Sequence, residues 1–206
     1  MMLNIRQITI VGVLAAITVV LGQSGLGFLV IPGLPAKITI MHIPVIVGAV
    51  LEGPVVGALV GLLFGIFSII QNMLVPTALS FAFLNPLVSV LPRVLIGITA
   101  YYSYNAIKFR SDELTLRFLG KAFKLLSEGL RIGIAAAVGT ITNTVGVLGM
   151  IYLLYAAPFA ELNNVSVSKA GTIIMGIGIT NGIPEVVAAV IITTTIVLSL
   201  KKILKK

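Results

Sequence analysis

The sequence predicts an all-α polytopic membrane protein with six transmembrane helices and both termini in the cytoplasm. Three observations support this fold class: 58% of the 206 residues are hydrophobic, only 10% are charged, and the mean hydropathy is +1.17. A soluble domain of this size does not reach such values. The composition therefore excludes a soluble enzyme, and we expect a single transmembrane domain over residues 1–206.

Six apolar stretches account for the predicted helices, since about 20 apolar residues are needed to cross a bilayer. The stretches are residues 5–22, 40–52, 55–72, 86–106, 130–156 and 172–200. The second stretch is short, because a helix rises only about 1.5 Å per residue. We therefore expect the residues that precede it to complete the crossing or to dip into the protein.

Basic residues predict the orientation of the chain. Most of the 14 Lys and Arg residues lie before the first stretch, between the fourth and fifth stretches, or at the C-terminus. The positive-inside rule then places both termini and the 107–130 connector in the cytoplasm, with part of the connector an amphipathic helix on the membrane surface. Because the charges cluster at span ends, the net charge of +8 indicates contact with membrane lipid and not with nucleic acid.

Five polar residues interrupt the apolar stretches. Ionisable groups inside a membrane are costly and usually mark a binding site or a transport path. Counting helical rise from the cytoplasmic ends places all five near the midplane or in the outer half. A shared depth on four different spans predicts one pocket that opens outward, formed by His42, Arg93, Asn143, Asn181 and Glu185.

Each of these residues also has a structural interpretation. Arg93 and Glu185 could form a buried ion pair without a ligand, Asn143 could hydrogen-bond between helices, and His42 could be a packing residue. The local sequence nevertheless agrees with a pocket in the outer half. Asn85 before Pro86 predicts an N-cap, which places the start of the fourth helix at the outer face, above Arg93.

The sequence offers no catalytic site. It has no phosphate-binding loop, no cysteine, and one histidine, which rules out the HExxH zinc motif. We therefore expect neither an enzyme nor a metal site, and no cofactor bound by this chain.

Small residues form two stripes that favour close helix approach. The stripe of the third stretch, Gly57, Gly61 and Gly65, is expected to be internal packing. The stripe of the first stretch lacks a polar residue that would explain it, and consists of Gly12 and Ala16 with Ala15 beside them.

These features together resemble a known family, the S components of energy-coupling factor (ECF) vitamin transporters. The strings that carry the resemblance are ITIMHIPVIVGAVLEGPVVGALVGLLFG, FAFLNPLVSVLPRVLIGI, TNTVGVLGMIYLLY and TNGIPEVVAAVI, and they look most like the pantothenate-type branch. The resemblance implies a vitamin-binding subunit of a prokaryotic cell membrane that works with a transmembrane T subunit and two cytoplasmic ATPases. ATP would then be used by the partner subunits only.

The resemblance also implies roles for the two sets of residues. The family's A-x-x-x-A contact motif maps to Gly12 and Ala16, with glycine replacing the first alanine and Ala15 as an alternative register. Arg93 would hold a vitamin carboxylate, since a guanidinium suits that group.

The other members of the predicted pocket would complete the vitamin site. Asn143, Asn181 and Glu185 would meet hydroxyl and amide groups, with His42 in the same pocket, and the 23–39 outer loop would close over them.

Several alternatives remain open at this point. The ligand could be a pyridoxine- or pyrimidine-type vitamin, with Glu185 pairing with a ring nitrogen. The chain could be a stand-alone secondary carrier in which Glu185 and Arg93 form a proton or ion relay, or a structural membrane subunit without a ligand.

Overall fold

The computed structural model describes residues 3–30, 37–77, 79–107 and 113–204. The described chain is helical apart from one short hairpin, which confirms the predicted class in its main part. The helices are α1 (Ile5–Ser24), α2 (Ile43–Glu52), α3 (Pro54–Leu74), α4 (Ser80–Phe83), α5 (Pro86–Ser89), α6 (Leu91–Ala106), α7 (Glu113–Leu162) and α8 (Val167–Leu204).

Five helical segments are long and apolar enough to cross a membrane. They are Ile5–Ser24, Pro54–Leu74, Pro86–Ala106, Phe123–Leu162 and Val167–Ile203. The remaining predicted crossing, the second stretch of residues 40–52, corresponds to α2, which has only 10 residues. All residues from Ile43 to Val50 are buried, and α2 contacts α1, α3, α6, α7 and α8. A helix that is apolar all round is expected in such a central position, so α2 lies inside the bundle.

Glycines allow α3 to lie directly against α6. A Cβ atom on Gly57 would lie 2.9 Å from the Cα of Gly97, and one on Gly61 would lie 2.1 Å from the carbonyl oxygen of Arg93. The stripe on α3 is therefore internal packing, as predicted. This contact fixes the backbone of Arg93 against the middle of α3.

The fourth predicted span is divided into α5 and α6. The side chain of Asn85 accepts a hydrogen bond of 2.9 Å from the amide of Leu87, which confirms the predicted N-cap. The helix is then interrupted at Val90, between Ser89 and Leu91. Pro92 explains the interruption, because it has no N–H to donate to the residue four positions earlier.

The predicted outer loop contains a hairpin that the all-α prediction did not include. Strands β1 (Phe28–Val30) and β2 (Lys37–Thr39) pair antiparallel, with Phe28 opposite Thr39. Residues 31–36 of the predicted loop lie outside the described residues. The hairpin leads directly into His42 and α2.

The predicted connector also contains ordered helix. Residues 108–112 lie outside the described part of the chain, and α7 begins at Glu113 within the 107–130 segment. Near its other end α7 is kinked at Tyr155, three residues before Pro158. In contrast, α8 continues through Pro184.

Residues near the two chain ends lie at one end of the bundle. Arg6 in α1 forms an ion pair of 2.6 Å with Glu52 at the end of α2. The neighbouring Leu51 lines a cavity together with Tyr104 and Lys201. The start of α1 and the end of α8 therefore share this end, which we call the basic end of the bundle.

Candidate substrate-binding site

Arg93 is buried and has no acidic partner among the residues that the structure describes. Its side chain donates a hydrogen bond of 2.6 Å from Nη1 to the carbonyl oxygen of Val88, and the guanidinium lies 5.5 Å and 5.7 Å from the ring centroids of Phe64 and Phe83. The residue is 6% exposed, and its Nε atom has no hydrogen-bond partner in the described part of the chain. Two aromatic faces stabilise a cation, but they leave the donor capacity of Nε unused.

Glu185 is equally buried, and its two oxygens have different partners. Oε1 accepts a hydrogen bond of 3.0 Å from the amide of Thr39 in β2, and Oε2 accepts one of 3.3 Å from the hydroxyl of Thr144 in α7. A carboxylate has about four acceptor positions, so further donors can still be accommodated. Glu185 thus connects α8 with α7 and with the hairpin.

The predicted structural ion pair between Arg93 and Glu185 is absent from the described residues. The ion pairs found there join Arg6 to Glu52, and Glu128 to Arg131 and Lys201. Arg93 therefore carries a buried positive charge whose counter-charge is not supplied by the described part of this chain. A buried unpaired charge is expensive, and an anionic partner would reduce that cost.

The hydrogen bonds of His42 assign its tautomer. Its Nε2 lies 2.9 Å from the hydroxyl oxygen of Thr140, and that hydroxyl donates its own hydrogen to the carbonyl of Ala136 at 2.8 Å. Nε2 must therefore be the donor in the contact with Thr140. In the neutral ring Nδ1 is then an acceptor, and it is buried without a hydrogen-bond partner among the described residues.

Asn143 adds a second unused acceptor. The residue is 7% exposed, and its Oδ1 atom is buried with no hydrogen-bond partner from the residues that the structure covers. It lies on α7 between Thr140 and Thr144, the residues that contact His42 and Glu185. The interhelical hydrogen bond that was one interpretation of Asn143 is not made by this oxygen.

Contacts between α6 and α7 place Arg93 at the same level of the bundle as Asn143. A Cβ on Gly139 would touch Ile96 at 3.4 Å, and one on Gly146 would touch Pro92 at 2.8 Å. These two contacts lie on either side of Arg93 along α6 and of Asn143 along α7. Arg93 and Asn143 therefore lie at about the same level along the packed helices α6 and α7.

Asn181 is the least buried of the five predicted residues. It is half-buried one turn before Glu185, and its Oδ1 accepts a hydrogen bond of 3.4 Å from the neighbouring Thr180. Four of the five predicted residues are thus buried, and His42 and Glu185 contact α7 on either side of Asn143, whereas Asn181 is half-buried.

The sequence interpretation missed the residues that hold the site in place. These are Thr39, Phe64, Phe83, Thr140 and Thr144. The spacing of Thr140 and Thr144 was the available signal, since residues four apart share one helix face. Among the described residues no group of three His, Asp or Glu side chains could hold a metal ion.

The small stripe of α1 faces away from the other helices. Gly12 and Ala16 are exposed, Ala15 is half-buried, and a Cβ on Gly12 would meet nothing within 4 Å. The buried face of α1 carries Val11 and Thr18 instead. The stripe is therefore open to a lipid or a partner.

The sequence is similar to a known protein family and to individual characterised proteins. The family model described as "ECF transporter, substrate-specific component" matches residues 6–197. The chain is 31% identical over 182 residues to the pantothenic acid transporter PanT of Lactococcus lactis subsp. cremoris, covering 82% of this chain and 80% of the relative. It is 26% identical over 177 residues to the pantothenate transporter PanT of Leuconostoc mesenteroides subsp. mesenteroides, covering 85% and 79%.

These relatives and the long apolar helices identify a multi-pass protein of the bacterial cell membrane. Enzymatic activity is not what the family provides, since its members are components of transporters. The chain belongs to the family of substrate-specific components of ECF transporters.

Proposed function

We propose that this chain captures pantothenate from outside the cell and delivers it through an ECF-type importer. The observation that carries the proposal is the buried guanidinium of Arg93, whose Nε is unused and which has no carboxylate partner among the described residues. A guanidinium matches a carboxylate with two parallel hydrogen bonds. The two relatives named for pantothenate transport support this choice of ligand.

The remaining polar atoms complement the other end of such a ligand. Pantothenate has one carboxylate, one amide N–H and two hydroxyl groups. The site offers Nδ1 of His42 and Oδ1 of Asn143 as unused acceptors, and Glu185 has acceptor positions left. In the proposed complex these groups, with Asn181 at the margin, accept from the amide and the hydroxyls while Arg93 holds the carboxylate.

The hairpin closes the site in this proposal. Thr39 is tied to Glu185, and it precedes His42 by only three residues. Movement of the hairpin would therefore displace two groups of the site together. We infer that the 23–39 segment is the outer gate, which opens for the vitamin and closes over it.

We infer the rest of the importer from the family to which the chain belongs. The chain has six crossings with both termini and the connector in the cytoplasm, and α2 with the preceding hairpin forms the second crossing. It works with a T subunit and two ATPases that use ATP, and it delivers the vitamin by reorientation of the whole subunit. The exposed stripe of Gly12, Ala15 and Ala16 is the proposed contact with the T subunit.

The alternative ligands are less well supported by the contacts. A pyridoxine- or pyrimidine-type vitamin would pair a ring nitrogen with Glu185, but it carries no carboxylate to match the buried guanidinium of Arg93. A secondary carrier with a relay between Glu185 and Arg93 would require direct coupling of the two groups, and their hydrogen bonds go elsewhere. Both remain outcomes of the binding test.

The test is to measure ligand binding and accumulation separately. In isothermal titration calorimetry the purified protein should bind pantothenate and should not bind pyridoxine or thiamine. In liposomes the isolated chain should not accumulate radiolabelled pantothenate under a proton or sodium gradient. Gradient-driven accumulation would favour the secondary carrier, and binding of another vitamin in place of pantothenate would overturn the ligand.

A further inference from the structure

A cavity with basic residues in its lining lies at the basic end of the bundle, away from Arg93 and Glu185. It measures about 930 Å³ and is formed by the ends of α2, α6, α7 and α8. This volume lies within the range of roughly 300–1,000 Å³ typical of ligand pockets. Its polar lining includes Lys124, Lys201, Lys202 and Ser199.

The cavity has an excess of positive charge. Its one acidic residue, Glu128, accepts hydrogen bonds from Tyr104 and Lys201 and forms an ion pair of 3.1 Å with Arg131. Glu128 is thus already shared between two cations. Lys124 and Lys202 are exposed at the cavity and form no ion pair with any residue that the structure describes.

An apolar groove continues from this cavity along the helices. A second cavity of about 720 Å³ shares Leu125 and Leu198 with the first and runs between α7 and α8. Gly129 and Gly133 of α7 are part of its lining and contribute no side chain of their own to fill it. A cationic cavity thus opens into an apolar groove on the outside of a membrane helix pair.

We propose that these two cavities together bind one anionic phospholipid of the cytoplasmic leaflet. The phosphate lies between Lys124 and Lys202, with Lys201 held beside it by Glu128, and one acyl chain lies in the groove over Gly129. Basic pockets between helices at the cytoplasmic surface are known to take anionic headgroups. The apolar groove selects a lipid over a free phosphate, because a free anion has nothing to place there. The proposal uses the orientation given above but not the vitamin site.

Native mass spectrometry of the full chain tests the proposal. Protein is equilibrated with equal amounts of phosphatidylglycerol and phosphatidylcholine, and the bound lipids are counted. We expect the parent to retain phosphatidylglycerol in preference. Lys202→Gln should lower that preference about fivefold, which corresponds to about 1 kcal/mol per lysine at an anionic surface. Lys124→Gln with Lys202→Gln should abolish it.

Two matched variants separate a built site from general attraction. Lys169→Gln removes the same charge from an exposed position at the opposite end of α8 and should leave the lipid preference unchanged. Gly129→Leu fills the groove without changing charge, and it should lower retention of both lipids. Its Cβ would lie 3.7 Å from Thr194, which is ordinary contact. Monodisperse elution and an unchanged melting temperature check the folding of each variant.

Three results would overturn the proposal. Equal retention of the two lipids by the parent would remove the headgroup preference, and equal losses from Lys169→Gln and Lys202→Gln would make it nonspecific. Inorganic phosphate that raises the melting temperature of the parent but not of the double lysine variant, without any lipid preference, would show a free-anion site. Loss of T-subunit assembly in the double variant with lipid retention intact would make the cavity a protein contact.

Discussion

Nη1 of Arg93 donates a hydrogen bond of 2.6 Å to the carbonyl oxygen of Val88. In an uninterrupted helix that carbonyl would accept from the amide of residue 92, but Pro92 has no N–H. The break between α5 and α6 therefore frees the acceptor that the guanidinium uses. One proline thus creates both the interruption and the anchor, and the anchor leaves Nε of Arg93 unused.

Replacement of Arg93 should abolish the capture of pantothenate. Arg93→Ala removes the charge-assisted partner of a buried carboxylate, a loss of about 2–5 kcal/mol, or roughly thirtyfold to several thousandfold in Kd. Arg93→Lys should recover part of this loss, since it keeps the charge but not the two-pronged geometry. Calorimetric titration and thermal unfolding of each variant provide the measurements.

A double variant provides the control for that prediction. Because Arg93 and Glu185 form no ion pair in the described structure, Glu185→Gln should not rescue the stability of Arg93→Ala. Rescue would indicate coupling between the two charges. Unchanged pantothenate affinity in Arg93→Ala, together with a lower melting temperature, would refute the carboxylate assignment.

Pro92→Ala should weaken binding without changing any charge. The new amide can donate to the carbonyl of Val88 and compete with Arg93 for it. Hydrogen bonds to charged groups contribute about 1.5–3 kcal/mol, so we expect Kd to rise about tenfold as the guanidinium loses its anchor. Pro86→Ala is the matched control, because proline at the first helical position replaces an amide that has no helical partner. Equal effects of the two substitutions on Kd would refute the anchoring role.

The sequence was sufficient to find the buried groups of the site. Arg93, Asn143 and Glu185 are conspicuous because hydrocarbon solvates them poorly, and all three are buried at matching heights. The cap at Asn85 was predictable for a local reason, since side chain and backbone lie two residues apart. Such features depend on neighbouring residues only, and local sequence determines them.

The partners of these groups were not predictable in the same way. Thr39 is 146 residues from Glu185, and Thr140 is 98 residues from His42. Which hydroxyl faces which helix depends on how α2, α7 and α8 are rotated in the bundle, and a periodic pattern does not contain that information. The hairpin was missed because strands of three residues are too short to show alternation.

Bulky residues on the open face of α1 should impair transport and spare binding. Gly12→Leu and Ala16→Leu obstruct close helix approach, while Gly12 has no neighbour within 4 Å that would be displaced. Kd should stay within about twofold, since surface substitutions change free energies by about 0.5 kcal/mol or less. Uptake by the reconstituted importer and calorimetric binding are compared for each variant.

An exposed glycine on another helix provides the control for the effect of added side-chain volume alone. Gly176 on α8 is also exposed with nothing within 4 Å of a Cβ, so Gly176→Leu adds the same volume on another face. Uptake by this variant should match the parent. Parallel losses of uptake in Gly12→Leu and Gly176→Leu would exclude a specific contact at α1.

The proposed orientation can be read by single-cysteine labelling, because the chain contains no cysteine. Ser168 and Ile203 are exposed near opposite ends of α8. In intact cells a membrane-impermeant maleimide should label Ser168→Cys and should reach Ile203→Cys only after permeabilisation. The reverse pattern would invert the topology, and would also move the basic cavity away from the cytoplasmic leaflet.

Glu185→Gln should weaken the hydrogen bond that holds the hairpin to α8. The substitution keeps an acceptor for the amide of Thr39 but removes the charge, and charge-assisted hydrogen bonds are about twice as strong as neutral ones. A loss of about 1 kcal/mol should speed hydrogen exchange at Thr39 and pantothenate dissociation about fivefold. Glu161→Gln, an exposed carboxylate beyond the kink of α7, is the control and should change neither rate. If pantothenate affinity falls in Glu185→Gln while exchange at Thr39 stays at the parent rate, Glu185 acts on the vitamin alone and the gate is held by other contacts.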